Sequence, residues 1–302
     1  MTQEQKLKNL LPPVGRVDAV IDTDAFNEID DQFAISYMLK LSDRINTRAI
    51  YAAPFLNGKV KTPAEGMELS YKEIYKLLSL MGREETVLRG SEEFLKNENT
   101  PVMSEAARDL AERARAYSPE KPLYVVAIGA ITNVASALLI EPLVAENTVV
   151  IWLGGHAHHY HDTKEFNMKQ DIAAARVVFG SGVPLVQLPC MGVVSEFTVT
   201  RQDLRYWFCD KDPLSDYLAR NAVELIDQRA PEGAYAKALW DVTAVAWLIN
   251  ESDKFMFSRV VNARLPDYDG VYGEENRELP IRYVYSIKVN KLMNDLIEKL
   301  TK

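Results

Sequence analysis

Between Val17 and Leu188, short runs of β-branched and aliphatic residues alternate with stretches where apolar residues recur every three or four positions. This alternation restricts the chain to a layered fold. Val17 to Asp24, Thr47 to Phe55, Thr86 to Leu88, Leu123 to Ile128, Val149 to Leu153 and Pro184 to Leu188 read as strands. Between them, Asp30 to Leu41, Ala64 to Met81, Ser104 to Tyr117, Asn133 to Ile140 and Ile172 to Phe179 carry the helical period, the second of these stopping at Gly82. Apolar strands without polar alternation suit a parallel sheet covered on both faces. The expected fold class is therefore α/β: an open, mostly parallel, doubly wound sheet flanked by helices.

The C-terminal half adds helices. Asp212-Pro213 reads as a cap followed by proline at the first helical position, with Leu214, Leu218, Ala222, Leu225 and Ile226 as the apolar stripe behind it. A further helix is expected over Leu239 to Leu248. Strands with a hairpin near Asp269-Gly270 follow over Phe255 to Val289, and Asn290 to Leu300 closes as a helix. No repeat, low-complexity stretch or Pro/Gly/Ser-rich linker interrupts the chain, so residues 1–302 are expected to form a single domain.

Composition narrows the choice of ligand. Asp+Glu 43 against Lys+Arg 35 gives a net charge of -8, which argues against nucleic-acid and anionic-membrane partners and leaves a small neutral or cation-assisted molecule. Two cysteines, Cys190 and Cys209, build no disulfide framework. Met1 to Leu11 lacks the basic start and apolar run of a secretory leader, and nowhere do about 18 apolar residues follow one another. The expected location is the cytoplasm. All four histidines, His156, His158, His159 and His161, fall within one hexapeptide.

The densest chemistry lies in Asp22-Thr23-Asp24-Ala25-Phe26-Asn27-Glu28-Ile29-Asp30-Asp31, where five carboxylates fall between the first strand and the first helix of the alternating region. Strand residues two apart share a face, so Asp22 and Asp24 are expected to point together, while Asp30 and Asp31 enter the first helical turn. In open α/β sheets, ligands bind beyond the carboxyl ends of the strands. Carboxylates gathered there repel one another unless a proton or cation holds them, and an all-oxygen set suits Ca²⁺ or Mg²⁺ better than zinc. Two further segments carry polar groups at element ends: Leu153-Gly154-Gly155 followed by the histidines and Glu165-Phe166-Asn167, and Trp240-Asp241 before an apolar helix.

Taken together, these segments resemble the nucleoside hydrolase family of the inosine-uridine preferring type. Asp22-Thr23-Asp24 and Asp30-Asp31 match its DxD and DD pairs, with a longer intervening loop, Ala25 to Ile29, that looks like the DTDAxNExDDQ variant. Ala127 to Asn133 is similar to the segment ending in LTN, Glu165-Phe166-Asn167 to EFN, and Asp241 to the late metal-binding aspartate. The resemblance implies that Asp24, Asp31, Asp241 and the backbone carbonyl of Ile128 bind Ca²⁺. It further implies that Asp24 is the base toward the attacking water, and that Asp30, Glu165, Asn167 and Asn57 hold the ribose of a small-molecule ribonucleoside. Relatives are commonly dimers or tetramers, so a homo-oligomer is expected.

Cleaving a carbon–nitrogen glycosidic bond develops positive charge on the sugar, which surrounding anions stabilise. Water attacks directly, and inversion is expected. Relatives often place a histidine just before the late aspartate, and this chain has Trp240 there. A tryptophan at that position resembles purine-specific members and suggests a purine preference. Tyr160, Trp152 and Trp207 are further candidates to line the base side, and among the histidines His159, six residues before Glu165, is the candidate for substrate contact. Two rival readings remain: a nucleoside- or ribose-binding protein that has lost catalysis, motivated by the altered loop and the missing histidine, and a Mg²⁺-dependent phosphatase of the DxD type. Ala25 and Phe26 do not fit the second.

Overall fold

The apolar alternation is realised as one sheet with helices on both sides, in a computed structural model that describes residues 1–302. The strands are β1 Val17–Thr23, β2 Ile45–Ala52, β3 Val87–Arg89, β4 Leu123–Ala127, β5 Thr148–Leu153, β6 Leu185–Leu188, β7 Thr198–Thr200, β8 Ala236–Ala238, β9 Met256–Pro266 and β10 Tyr272–Ile287. The helices are α1 Gln3–Asn9, α2 Asp30–Lys40, α3 Pro63–Met81, α4 Glu105–Ala114, α5 Thr132–Ile140, α6 Leu143–Asn147, α7 Phe166–Gln170, α8 Ile172–Gly180, α9 Arg201–Trp207, α10 Pro213–Arg229, α11 Val242–Trp247 and α12 Val289–Thr301. None is long and apolar enough to cross a membrane.

The main sheet runs in the order β3-β2-β1-β4-β5-β6-β10-β9. All neighbours are parallel except the β10–β9 hairpin, which supplies the antiparallel edge. Alternate strand residues feed two cores. Ile21, Ile50 and Val126 pack on one face, while Val20, Tyr51 and Val125 pack on the other, as a buried parallel sheet requires. From β1 the chain winds outward through β2 to β3, then returns to β4 and winds the other way. The strand order therefore reverses between β1 and β4, and the crevice beyond their carboxyl ends is the expected ligand site.

Helix ends follow local chemistry. Thr62 caps α3, and the helix closes at Gly82 with φ 61, a left-handed conformation that glycine adopts without Cβ strain. Asp212 and Ser215 form a reciprocal capping box at α10, with Pro213 at the first helical position. Four short helices, α1, α6, α7 and α9, and the small antiparallel β7–β8 pair lie outside the periodic segments, because three to seven residues are too few to show a period. The helix expected over Leu239 to Leu248 is shorter, starting at Val242 after a strand and a turn.

Candidate functional site

β1 ends at Thr23, one residue earlier than the spacing suggests, and this separates two aspartates expected to converge. Asp22 turns toward α5, where Asn133 donates to its Oδ1 at 2.7 Å. The Asn133 Oδ1 in turn accepts from the Ser91 backbone and hydroxyl at 2.7 and 2.8 Å. Asp22 therefore braces the sheet from outside the cleft. Asp24, already in the loop, lines a cavity of about 490 Å³ at the switch point with Asp30, Asp31, Asn57, Ile128, Glu165, Asn167, Trp240 and Asp241.

Asp30 and Asp31 open α2, and Asp241 precedes α11, so both helix starts bring carboxylates to the same point. Carboxylate oxygens of Asp30, Asp31 and Asp241 lie within 4.8 Å of one another. The Thr23 hydroxyl donates to Asp31 Oδ1 at 2.6 Å. Asp24 Oδ2 is buried with no hydrogen-bond partner. Burial, then Asp31 and Asp30, pushes the Asp24 carboxyl well above the usual range. Burial and Asp30 raise Asp31 to about 7, and burial with Asp30, Asp31 and Asp24 raises Asp241. An orphaned buried carboxylate oxygen among mutually repelling acids fits a hard divalent cation, whose charge would relieve that repulsion.

Glu165 caps α7, accepting from the backbone of Asn167, Met168 and Gly155 at 2.8, 2.9 and 3.0 Å. Burial pushes its carboxyl up while those three donors pull it down. Gly155 is irreplaceable here: φ is +77 and a Cβ would lie 2.2 Å from the Tyr272 hydroxyl. Asn167 Nδ2 donates to the carbonyls of Ile128 and Leu153 at 3.1 and 3.0 Å, tying α7 to β4 and β5. Asn57 stands on the other wall, donating to Asn27 Oδ1 at 2.8 Å and accepting from the Lys59 backbone at 2.7 Å.

Several cleft residues hold places that the sequence reading did not assign to them. Glu28, in the long first loop, forms an ion pair with Lys237 across 2.7 Å and accepts from Arg229. Burial works against its charge, but the two cations hold its carboxyl below the usual range. Lys237 is fully buried on β8, 2.9 Å from Asp30 Oδ1 and 3.8 Å above the centroid of the Trp240 ring. Its signal in the sequence is a lysine isolated in the apolar run Ala236 to Trp240. Lys59 and Phe166 complete the wall.

The histidine loop does not place its imidazoles as expected. His159 is exposed and stays off the cleft, while His156 lines it. The His156 side chain is 15% exposed, with Nε2 4.0 Å from Asp162. Burial lowers its basicity, partly opposed by Asp162. His158 packs between the rings of Tyr272 and Tyr283. None of the three other candidate aromatics reaches the cleft: Trp152 is buried against Phe179, Trp207 lies against Tyr206, and Tyr160 sits beside His156 and His159.

Residues 19–289 match the family model described as inosine-uridine preferring nucleoside hydrolase. A pyrimidine-specific ribonucleoside hydrolase RihA of Shewanella sp. (strain MR-7) is 29% identical over 159 residues, 50% of this chain and 48% of that protein. The chain thus spans about half the length of the curated relatives it matches first. Among solved structures, a purine-preferring ribonucleoside hydrolase from Gardnerella vaginalis is similar with a TM-score of 0.75 at 18% identity, covering 94% of this chain and 98% of that one. The plant nucleoside hydrolase PpNRh1 is similar with a TM-score of 0.72 at 19% identity, covering 96% and 99%. At such identities these two likenesses establish the fold.

Proposed function

The chain belongs to the inosine-uridine preferring nucleoside hydrolase family, and from that membership we propose that it hydrolyses the N-glycosidic bond of ribonucleosides with Ca²⁺ as its metal. The observation that carries the reading is Asp24: a fully buried carboxylate at the switch point, one oxygen without a partner, among Asp31, Asp30 and Asp241.

In this reading Asp24, Asp31, Asp241 and the Ile128 carbonyl would hold the cation, which would supply a positive centre for binding water and the ribose hydroxyls. Asp24 would act as the base toward the attacking water, taking its proton as the water oxygen bonds to the anomeric carbon. The bond to the base nitrogen breaks, its electron pair leaves with the base, and a proton delivered to the base completes free base and ribose. Asp30, Glu165, Asn167 and Asn57 hold the sugar, and the anionic floor stabilises the positive charge that develops on it. Attack opposite the departing base inverts the anomeric centre.

His156 is the one imidazole lining the cleft and our candidate donor to the leaving base. Trp240 offers the base an indole whose ring is capped by the Lys237 ammonium at 3.8 Å. That aromatic surface, at the position where relatives carry histidine, supports a purine preference. The RihA relative is named pyrimidine-specific, so the base panel decides between the two. The experiment is release of reducing sugar from inosine, guanosine, adenosine, uridine and cytidine, with and without a chelator. The expected result is calcium-restored turnover that is faster with purines. Normal binding of all five without ribose release would instead make the protein a binding member of the fold.

A further inference from the structure

The acidic floor of the cleft contains one more carboxylate than the proposed cation set uses, and the fold spends a buried lysine on it. Asp30 and Asp31 are neighbours in the first turn of α2, so their side chains leave the helix in different directions. Their partners differ accordingly. Asp31 Oδ1 accepts from the Thr23 hydroxyl at 2.6 Å, and Asp30 Oδ1 accepts from Lys237 Nζ at 2.9 Å.

An ammonium has three protons to donate. Lys237 donates to Asp30 and to the Ala238 carbonyl at 2.8 Å and forms an ion pair with Glu28 Oε2 across 2.7 Å, while the indole of Trp240 closes the site at 3.8 Å. Glu28 is anchored in turn by Arg229. Nothing at Lys237 is left for solvent, since the residue is 0% exposed. Yet Asp30 lies close enough to Asp31 and Asp241, within 4.8 Å, to serve as a further, fourth carboxylate ligand.

We propose that Lys237 partitions the acidic cluster, drawing Asp30 out of the cation's ligand set so that it stays oriented for the sugar hydroxyls. Lys237 is thus a positioning residue. A carboxylate whose charge is shared with a buried ammonium is a poorer ligand for a divalent ion, and one clamped at Oδ1 keeps its other oxygen for a diol. The proposal rests on the reading of this cleft as a cation-assisted riboside site.

The test uses metal-stripped protein loaded with terbium(III), which takes oxygen sites like calcium. Luminescence lifetimes in light and heavy water count the waters on the bound ion. The expected result is the same count in the unaltered protein, Asp30→Asn and Lys237→Arg, one water fewer in Lys237→Met as Asp30 swings onto the ion, and the original count in the double variant. Two outcomes overturn the proposal: an extra water in Asp30→Asn alone, which makes Asp30 a ligand already, or an unchanged count in folded Lys237→Met. Should Lys237→Met fail to fold by circular dichroism, Asp30→Asn decides alone by the first criterion. No arm measures turnover. A protein inert toward every riboside but showing this pattern would refute the hydrolase reading and leave the partition standing.

Discussion

Asp24 concentrates the chemistry of this protein in one side chain. It is 1% exposed, it has an oxygen without a partner, and its neighbours are acids. Replacing it with asparagine keeps the shape, removes the basic oxygen and relieves repulsion. Asp24→Asn is therefore expected to lower ribonucleoside turnover by roughly 10²-fold to 10⁴-fold while leaving the melting temperature of the metal-free protein equal or higher. Wild-type rates in that variant would remove Asp24 as the base. Asp22 shows how much one residue of strand length matters. Two positions earlier, with the same side chain, it is bound by Asn133 and takes no place in the cleft.

At the scale of elements, the β9–β10 hairpin supports the histidine loop. Tyr272 donates from its hydroxyl to the His156 carbonyl at 3.0 Å, and the His158 backbone donates to the Tyr283 hydroxyl at 3.1 Å. His158 is wedged between both rings, and burial with nearby Arg264 lowers its pKa from 6.5 to about 4. The sign of the consequence follows from linkage. Below 6.5 the unfolded chain takes up a proton that the folded chain refuses until about 4, so stability falls as pH drops through that window. Urea unfolding between pH 7 and pH 4.5 should show this decline, and His158→Gln should flatten it; an identical slope in the variant would exclude His158 as its source.

Across the whole molecule, winding from β1 in both directions brings the loop after β1, the end of β4, α7 and the start of α11 to one crevice, although Asp24 and Asp241 are far apart in sequence. A cation shared among such segments binds the folded chain and not the unfolded one. Calcium at 100 times its dissociation constant is expected to add about 2.7 kcal/mol of stability, seen as a rise of several degrees in thermal unfolding and abolished by chelator. A melting temperature indifferent to calcium would exclude tight binding.

The sequence by itself determined the layered α/β plan and the family, because both are written in local signals: continuous apolar runs alternating with three-to-four-residue apolar periods, Gly82 and Asp212-Pro213 at helix ends, and aspartates in motif order. Tertiary structure decided which of those polar residues share the cleft. Strand alternation placed Asp22 beside Asp24, and its position six residues before Glu165 singled out His159. In the folded chain that alternation put Asp22 on the α5 face with Val20, the end of β1 at Thr23 left Asp24 in the loop that lines the cleft, and packing on Tyr272 and Tyr283 held His158 away while His156 lines it. For Lys237 the local pattern, a lysine isolated in an apolar run, gave no hint of its partners. A buried ammonium is tolerated only where opposite charges meet it, and Glu28 and Asp30, its partners, lie some two hundred residues away in the chain.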